Sequence, residues 1–129
     1  MISIIVPCFN EEDALPIYYC EMKKIIKKMK DVPFELIFIN DGSTDKTLHL
    51  LREMAKQDPM VRYISFSRNF GKEAGILAGL KAANGDYVAM MDVDLQDPPE
   101  LLIEMYEELE KKEYDCIATR SVSRNGYSP

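Results

Sequence analysis

The chain has no excess of positive charge, little cysteine, one histidine and no long apolar run, and each shortage removes a class of function. Lys and Arg total 16 against 22 Asp and Glu, a formal net charge of -6 over 129 residues. A protein that neutralises a nucleic-acid backbone needs the opposite balance, so nucleic acid is not expected as a partner. An anionic substrate would then need local help from a divalent cation or from backbone N–H groups at helix starts. Cys8, Cys20 and Cys116 are odd in number and lack CxxC spacing. Neither a disulfide framework nor a zinc site follows, and reduced thiols are the expectation. No stretch reaches the roughly 18 apolar residues of a membrane span. Met1 leads directly into an apolar run without a basic segment, so no signal peptide is expected and these residues should be soluble. GxGxxG and GxxxxGK[ST] are both missing, which counts against dinucleotide binding and P-loop chemistry. His49 lies between Leu48 and Leu50 with no serine or cysteine partner nearby, which suits a surface or packing role.

What is present is a regular alternation of strand and helix patterns. Hydrophobic residues make up 47% and charged ones 29%, an ordinary balance for one packed domain. Short β-branched runs at 2–8, 34–40, 61–66, 86–91 and 114–119 predict five strands. Leu15, Tyr18, Tyr19, Met22, Ile25, Ile26 and Met29 recur at helical spacing, with Lys23, Lys24, Lys27 and Lys28 opposite them on a solvated face. Ser43 or Thr44 is placed to cap a second helix, whose Leu48, Leu51, Met54 and Ala55 turn inward. A third helix spans 72–83, its Gly75 and Gly79 suited to close packing on a sheet, and Pro98 and Pro99 open a fourth. Strands alternating with single helices predict a three-layer α/β fold around a mostly parallel sheet.

Such sheets bind ligands beyond the carboxyl ends of their strands. The polar residues cluster there: Asn10-Glu11-Glu12, Asp41-Gly42-Ser43, Ser67-Arg68-Asn69 and Asp92-Val93-Asp94 each follow a strand. Alternation along an extended segment would point Asp92 and Asp94 the same way, so that both could hold one Mg²⁺ or Mn²⁺; solvated loop aspartates are the competing reading. Asp41 suits either a turn-forming carboxylate or an acceptor for a base or ribose. Asn10 and Glu11, just beyond the strand that Pro7 helps to end, suit ribose hydroxyls or a base, or else a simple polar turn before a helix. Arg68 and Lys72 suit phosphate oxygens or structural ion pairs.

Taken in order, IIVPCFNEE, FINDGSTDKT, SFSRNFGKEAGILAGL and MDVDLQDPPE resemble the GT-A transferases of glycosyltransferase family 2. The resemblance is closest to the polyprenyl-phosphate branch, with dolichyl-phosphate mannose synthase and the bactoprenol glucosyl transferases. It implies a Rossmann-like nucleotide-sugar-binding domain over 1–120 and the start of an acceptor-side loop over 121–129. Pro7, Asn10, Glu11, Asp41, Arg68 and Asp92 match positions that bind the nucleotide sugar. Asp94 and Asp92 match the catalytic acidic pair, and Asp94, Asp92 and Gln96 the metal-binding set for Mg²⁺ or Mn²⁺. Arg120 and Arg124 match the basic region that receives the acceptor phosphate. The implied reaction transfers a hexose from a UDP- or GDP-sugar to a lipid-linked phosphate at the cytoplasmic face of a membrane. Family members continue further, so the chain is expected to be a front portion, inactive alone. Transfer to a polysaccharide acceptor, and a non-catalytic nucleotide-binding or receiver-like signalling domain, are the alternatives.

Overall fold

A computed structural model describes residues 1–96 and 98–111. The expected fifth strand, Cys116, Arg120, Arg124 and the loop at 121–129 lie outside the described residues. The chain divides into two compact units, Met1–Gln96 and Asp97–Pro129. In the first unit β1 (Ile2–Cys8), α1 (Ala14–Lys28), β2 (Phe34–Asn40), α2 (Thr47–Gln57), β3 (Val61–Ser65), α3 (Lys72–Ala82) and β4 (Tyr87–Met90) follow one another. In the second, α4 (Leu101–Glu110) starts just after Pro98 and Pro99, whose carbonyls accept the N–H groups of Leu101 and Leu102. No helix among the described residues is long and apolar enough to cross a membrane.

The sheet order is β3-β2-β1-β4 and every ladder is parallel. β2 is buried along its whole length and β1 along all but Pro7, which is why both read as unbroken apolar runs. The edge strands are shorter and partly exposed. Side chains on neighbouring positions of a strand point to opposite faces. Tyr18 of α1 meets Phe38 edge-on at 6.1 Å, whereas a Cβ on Gly75 or Gly79 of α3 would meet Ile39 or Ile5. The helices therefore cover both faces, and the expected three-layer α/β arrangement is present. At Gly79 the added atom would lie 2.5 Å from Ile5, so this glycine is required by close helix–sheet packing. The strand order also disposes of the receiver alternative, since that fold places its third strand beside its first.

Two local expectations fail. α2 starts at Thr47 and is not capped by Ser43 or Thr44; Asp45 accepts the Thr47 N–H at 2.9 Å instead, while Ser43 and Thr44 bond across to Asn10. Lys23 is not simply solvated: its ammonium meets the buried Asp58 at 3.0 Å, where the Tyr19 hydroxyl also donates.

The amino edge of the sheet is tied by one carboxylate. Glu35, 5% exposed, accepts from Ser3 Oγ at 2.6 Å, Arg62 Nη1 at 2.7 Å and Asn84 N at 2.7 Å. Ser3 Oγ accepts in turn from Gly85 N at 2.8 Å. Residues of β1, β2, β3 and the α3–β4 connection thus meet on one buried group, which anchors the chain where it crosses to β4. Burial works to raise the Glu35 pKa, but the hydrogen bonds from Ser3, Asn84 and Arg62 outweigh it and hold the value at about 2, below its ordinary 4.5. A depressed carboxylate stabilises the fold fully above the unfolded value and loses that contribution as pH falls. About 3 kcal/mol of stability should therefore disappear between roughly pH 4.5 and pH 2. Chemical denaturation of Glu35→Gln should show a lower midpoint at neutral pH and a flatter acid dependence in that window; an unchanged acid limb would show that Glu35 does not drive it.

Candidate functional site

The carboxyl ends of β1, β2 and β3 are level, because Cys8 pairs with Asn40 and Asn40 with Ser65. β4 ends lower, with Met90 opposite Ile5. Three loops therefore leave one edge together, and the β4 loop starts beneath them beside β1. A cleft of about 370 Å³ opens there. Pro7, Glu11, Asp41, Asn69, Lys72 and Asp92 contribute to its wall, one or more from each of the four loops.

The loops are laced by bonds between side chains and backbone. Asn10, at φ 52°, donates its N–H to Ser43 Oγ at 2.9 Å and accepts the Thr44 N–H on Oδ1 at 2.8 Å. Glu11 N donates to Thr47 Oγ1 at 2.9 Å. Asp41 is 6% exposed; its Oδ1 accepts from Phe70 N at 2.7 Å and its Oδ2 from Gly71 N at 3.0 Å. Gly42 follows at φ 72°, where a Cβ would sit 2.4 Å from the Arg68 carbonyl carbon and the Asn69 nitrogen. Only glycine permits both that conformation and that approach. The β2–α2 loop is consequently pressed against the β3–α3 loop, and Asp41 fixes where α3 begins.

The expected acidic pair is placed differently from the alternation that suggested it. Val93 and Asp94 form a turn, Leu95 takes φ 56°, and Leu95 N reaches back to the Asp92 carbonyl. Asp92 enters the cleft and accepts from Lys72 Nζ at 2.9 Å. Asp94 is exposed and accepts from Gln96 Nε2 at 2.8 Å. The two carboxylates still act on one neighbour. Glu11 is raised above its ordinary pKa, first by burial and then by the charges of Asp94, Asp45 and Asp92. Arg68 is not part of the wall; its guanidinium stacks 4.2 Å from the centre of the Phe70 ring. Burial foremost, with help from Glu11, pushes the Cys8 thiol up to about 12, so this free cysteine is no nucleophile. His49 is exposed in α2, as expected of a surface residue.

Can these residues hold a cation? The donors are carboxylate and amide oxygens, which suit Mg²⁺ or Mn²⁺, and the mutual repulsion felt at Glu11 is what a cation would relieve. No group of three His, Cys, Asp or Glu side chains among the described residues forms a ready ligand set. The donor chemistry fits a hard cation whose shell is completed by oxygens from outside the protein.

Sequence reasoning missed Phe9, a 46% exposed aromatic in the cleft wall, and Asp45, which accepts the Thr47 N–H at the start of α2 and acts on Glu11. Phe9 had a legible signal: it is the one apolar side chain between Cys8 and Ala14. Asp45 had none beyond its place in a polar loop.

The family model described as glycosyl transferase family 2 matches residues 3–128. An uncharacterized glycosyltransferase, YkcC, of Bacillus subtilis (strain 168) is 42% identical over 124 residues, which cover 96% of this chain and 38% of that protein. A prophage bactoprenol glucosyl transferase homolog of Escherichia coli (strain K12) is 43% identical over 120 residues, covering 93% of this chain and 39% of its own. The chain thus spans about two fifths of the length of these relatives. Among solved structures, mannosyltransferase PcManGT from Pyrobaculum calidifontis, in complex with GDP-Man and Mn²⁺, is similar in fold at TM-score 0.62 and 22% identity, over 75% of this chain and 32% of that one. S. aureus TarS 1-349 in complex with UDP is similar at TM-score 0.58 and 25% identity, over 81% of this chain and 32% of that one.

The Asp41 clamp can be tested directly. Asp41→Asn keeps the shape but turns an NH₂ toward one of two backbone N–H groups, at a cost of about 1–3 kcal/mol. Amide hydrogen exchange at Phe70 and Gly71 should accelerate in this variant, and unchanged protection would mean that the clamp does not hold the loop.

Proposed function

The chain belongs to glycosyl transferase family 2, and from that premise we propose that it forms the donor-binding portion of an enzyme moving a hexose from a UDP- or GDP-sugar to a polyprenyl phosphate. One observation carries the reading: four loops at the carboxyl edge of a parallel sheet bring Glu11, Asp41, Lys72 and Asp92 to a single cleft. That is where a fold of this class holds a nucleotide. Relatives at 43% identity carry the name bactoprenol glucosyl transferase, which favours a lipid-linked phosphate over a polysaccharide as acceptor. PcManGT with GDP-Man and Mn²⁺, and TarS with UDP, support a nucleotide-sugar donor without choosing the base.

In this reading the nucleoside lies against Asp41 and the Asn10–Glu11 loop. Each Asp41 oxygen already accepts one backbone N–H and retains a second lone pair for a base or ribose. Asn10 serves the site chiefly by joining the first two loops. Asp92 and Asp94, with Gln96, hold the divalent cation. When bound, that cation neutralises the diphosphate and makes it a better leaving group. Arg120 and Arg124 would receive the acceptor phosphate, at the cytoplasmic membrane face in the whole protein. A phosphate oxygen is already anionic, so this acceptor needs no protein general base.

Calorimetry of the 129-residue chain with UDP- and GDP-sugars should show binding that requires Mn²⁺ and is lost in Asp94→Ala. Binding indifferent to both changes would refute the cation-assisted site. No hexose transfer to a polyprenyl phosphate is expected from this chain alone, which spans about two fifths of the relatives' length, and robust product formation would show that these residues already form a complete acceptor side.

A further inference from the structure

Lys72 and Asp92 face each other within the cleft, with Nζ 2.9 Å from Oδ1. Lys72 is the first residue of α3 and Asp92 follows β4, so the pair joins two of the site's four loops. Among the described residues of the cleft wall Lys72 is the only basic one, while Glu11, Asp41 and Asp92 are acidic. From the described residues a diphosphate entering this wall meets three carboxylates and a single ammonium, and the ammonium is already bound to one of the three. Of the backbone donors just before α3, the Phe70 and Gly71 N–H groups are already bonded to Asp41, so a side-chain cation adds to what the first turn of α3 can offer an anion.

The pair is built to exchange. Its side chains are 61% and 41% exposed, so water screens it and its net contribution is small. Lysine presents a compact charge on a flexible stem and can re-aim its three donors, unlike a planar guanidinium. We infer that Lys72 is the resident counter-ion of Asp92: a divalent cation displaces it from that carboxylate, and the released ammonium then takes the donor's diphosphate. This rests on the cation-assisted donor site proposed above. Exchange couples the two ligands, because the cation makes Lys72 available to the diphosphate and the diphosphate gives Lys72 another partner. It also gives Lys72 opposite effects on the two ligands, which a merely structural ion pair would not have.

The test uses the 129-residue chain and two separate readouts. Electron paramagnetic resonance of free Mn²⁺ measures cation binding without nucleotide, and calorimetry measures UDP and GDP binding at saturating Mn²⁺. Lys72→Ala should bind Mn²⁺ about two- to five-fold more tightly, a size set by an exposed ion pair. It should bind the nucleoside diphosphate about tenfold more weakly, as the loss of a charge-assisted contact requires. Lys46→Ala removes an equal charge from the β2–α2 loop without touching Asp92, and should leave Mn²⁺ affinity within about twofold of the wild type. Equal tightening in both variants would reduce the effect to general electrostatics and overturn the exchange. Unchanged or weaker Mn²⁺ binding in Lys72→Ala, with Mn²⁺-dependent nucleotide binding intact in the wild type, would overturn the exchange alone. A wild-type chain that binds neither nucleotide in a Mn²⁺-dependent way would remove the donor site and this inference together.

Discussion

Burial of β1 and β2 on both faces is the constraint from which the rest of this structure follows. Ile4, Ile5, Val6, Leu36, Ile37, Phe38 and Ile39 have no measurable exposure, so polar groups in the middle of these strands would be stranded without water. Polar chemistry is pushed to the two ends. At the amino end a single buried carboxylate, Glu35, is fully satisfied and ties the strands to the returning chain. At the carboxyl end the level finish of β1, β2 and β3 brings three loops together, and the early end of β4 places a fourth beneath them.

The carboxyl edge is acidic yet orderly because several of its polar groups have fixed partners. Asp41 holds the start of α3, Asn10 holds the β2–α2 loop, and Lys72 balances Asp92. The residual strain is electrostatic and concentrates on Glu11, which burial and three neighbouring aspartates push toward its neutral form. A site with surplus carboxylates and hard oxygen donors has a natural complement in a divalent cation that arrives with an anionic ligand. The small, exposed ion pair at its centre is compatible with that role in a way that a buried one would not be.

Much of this was legible before any coordinates. The apolar runs of β1 and β2 marked their strands to the residue, because a strand buried on both faces carries no alternation to blur its ends. Gly75 and Gly79 marked the packed side of α3. The errors have two causes. Ser43 and Thr44 are good capping residues, yet Asn10 from another loop competes for them, Lys46 takes the cap position and Asp45 accepts the first helical N–H. Asp92 and Asp94 stand two apart, but β4 ends at Met90, so the alternation of an extended strand no longer applies to them. Lys23 belongs by pattern to a solvated face, but Asp58 from a distant loop lies beside it. At Ser43, Thr44 and Lys23 a partner remote in sequence overrode a sound local preference, whereas at Asp92 and Asp94 the strand simply ended early.

The sequence by itself determined the strand and helix alternation, the placing of polar loops after the strands and, through four ordered blocks, the family. Those features depend on side-chain periodicity and on residue type, both of which are local quantities. Only the tertiary structure decided that Asp41 would clamp Phe70 and Gly71, that Arg68 would stack on Phe70 outside the cleft, and that Lys72 would meet Asp92. The Asp41 and Lys72 pairings depend on strand order and register, which bring together residues 20 to 30 positions apart and leave no trace in local spacing; Arg68 and Phe70 stand two apart, and the path of their loop decides that they stack.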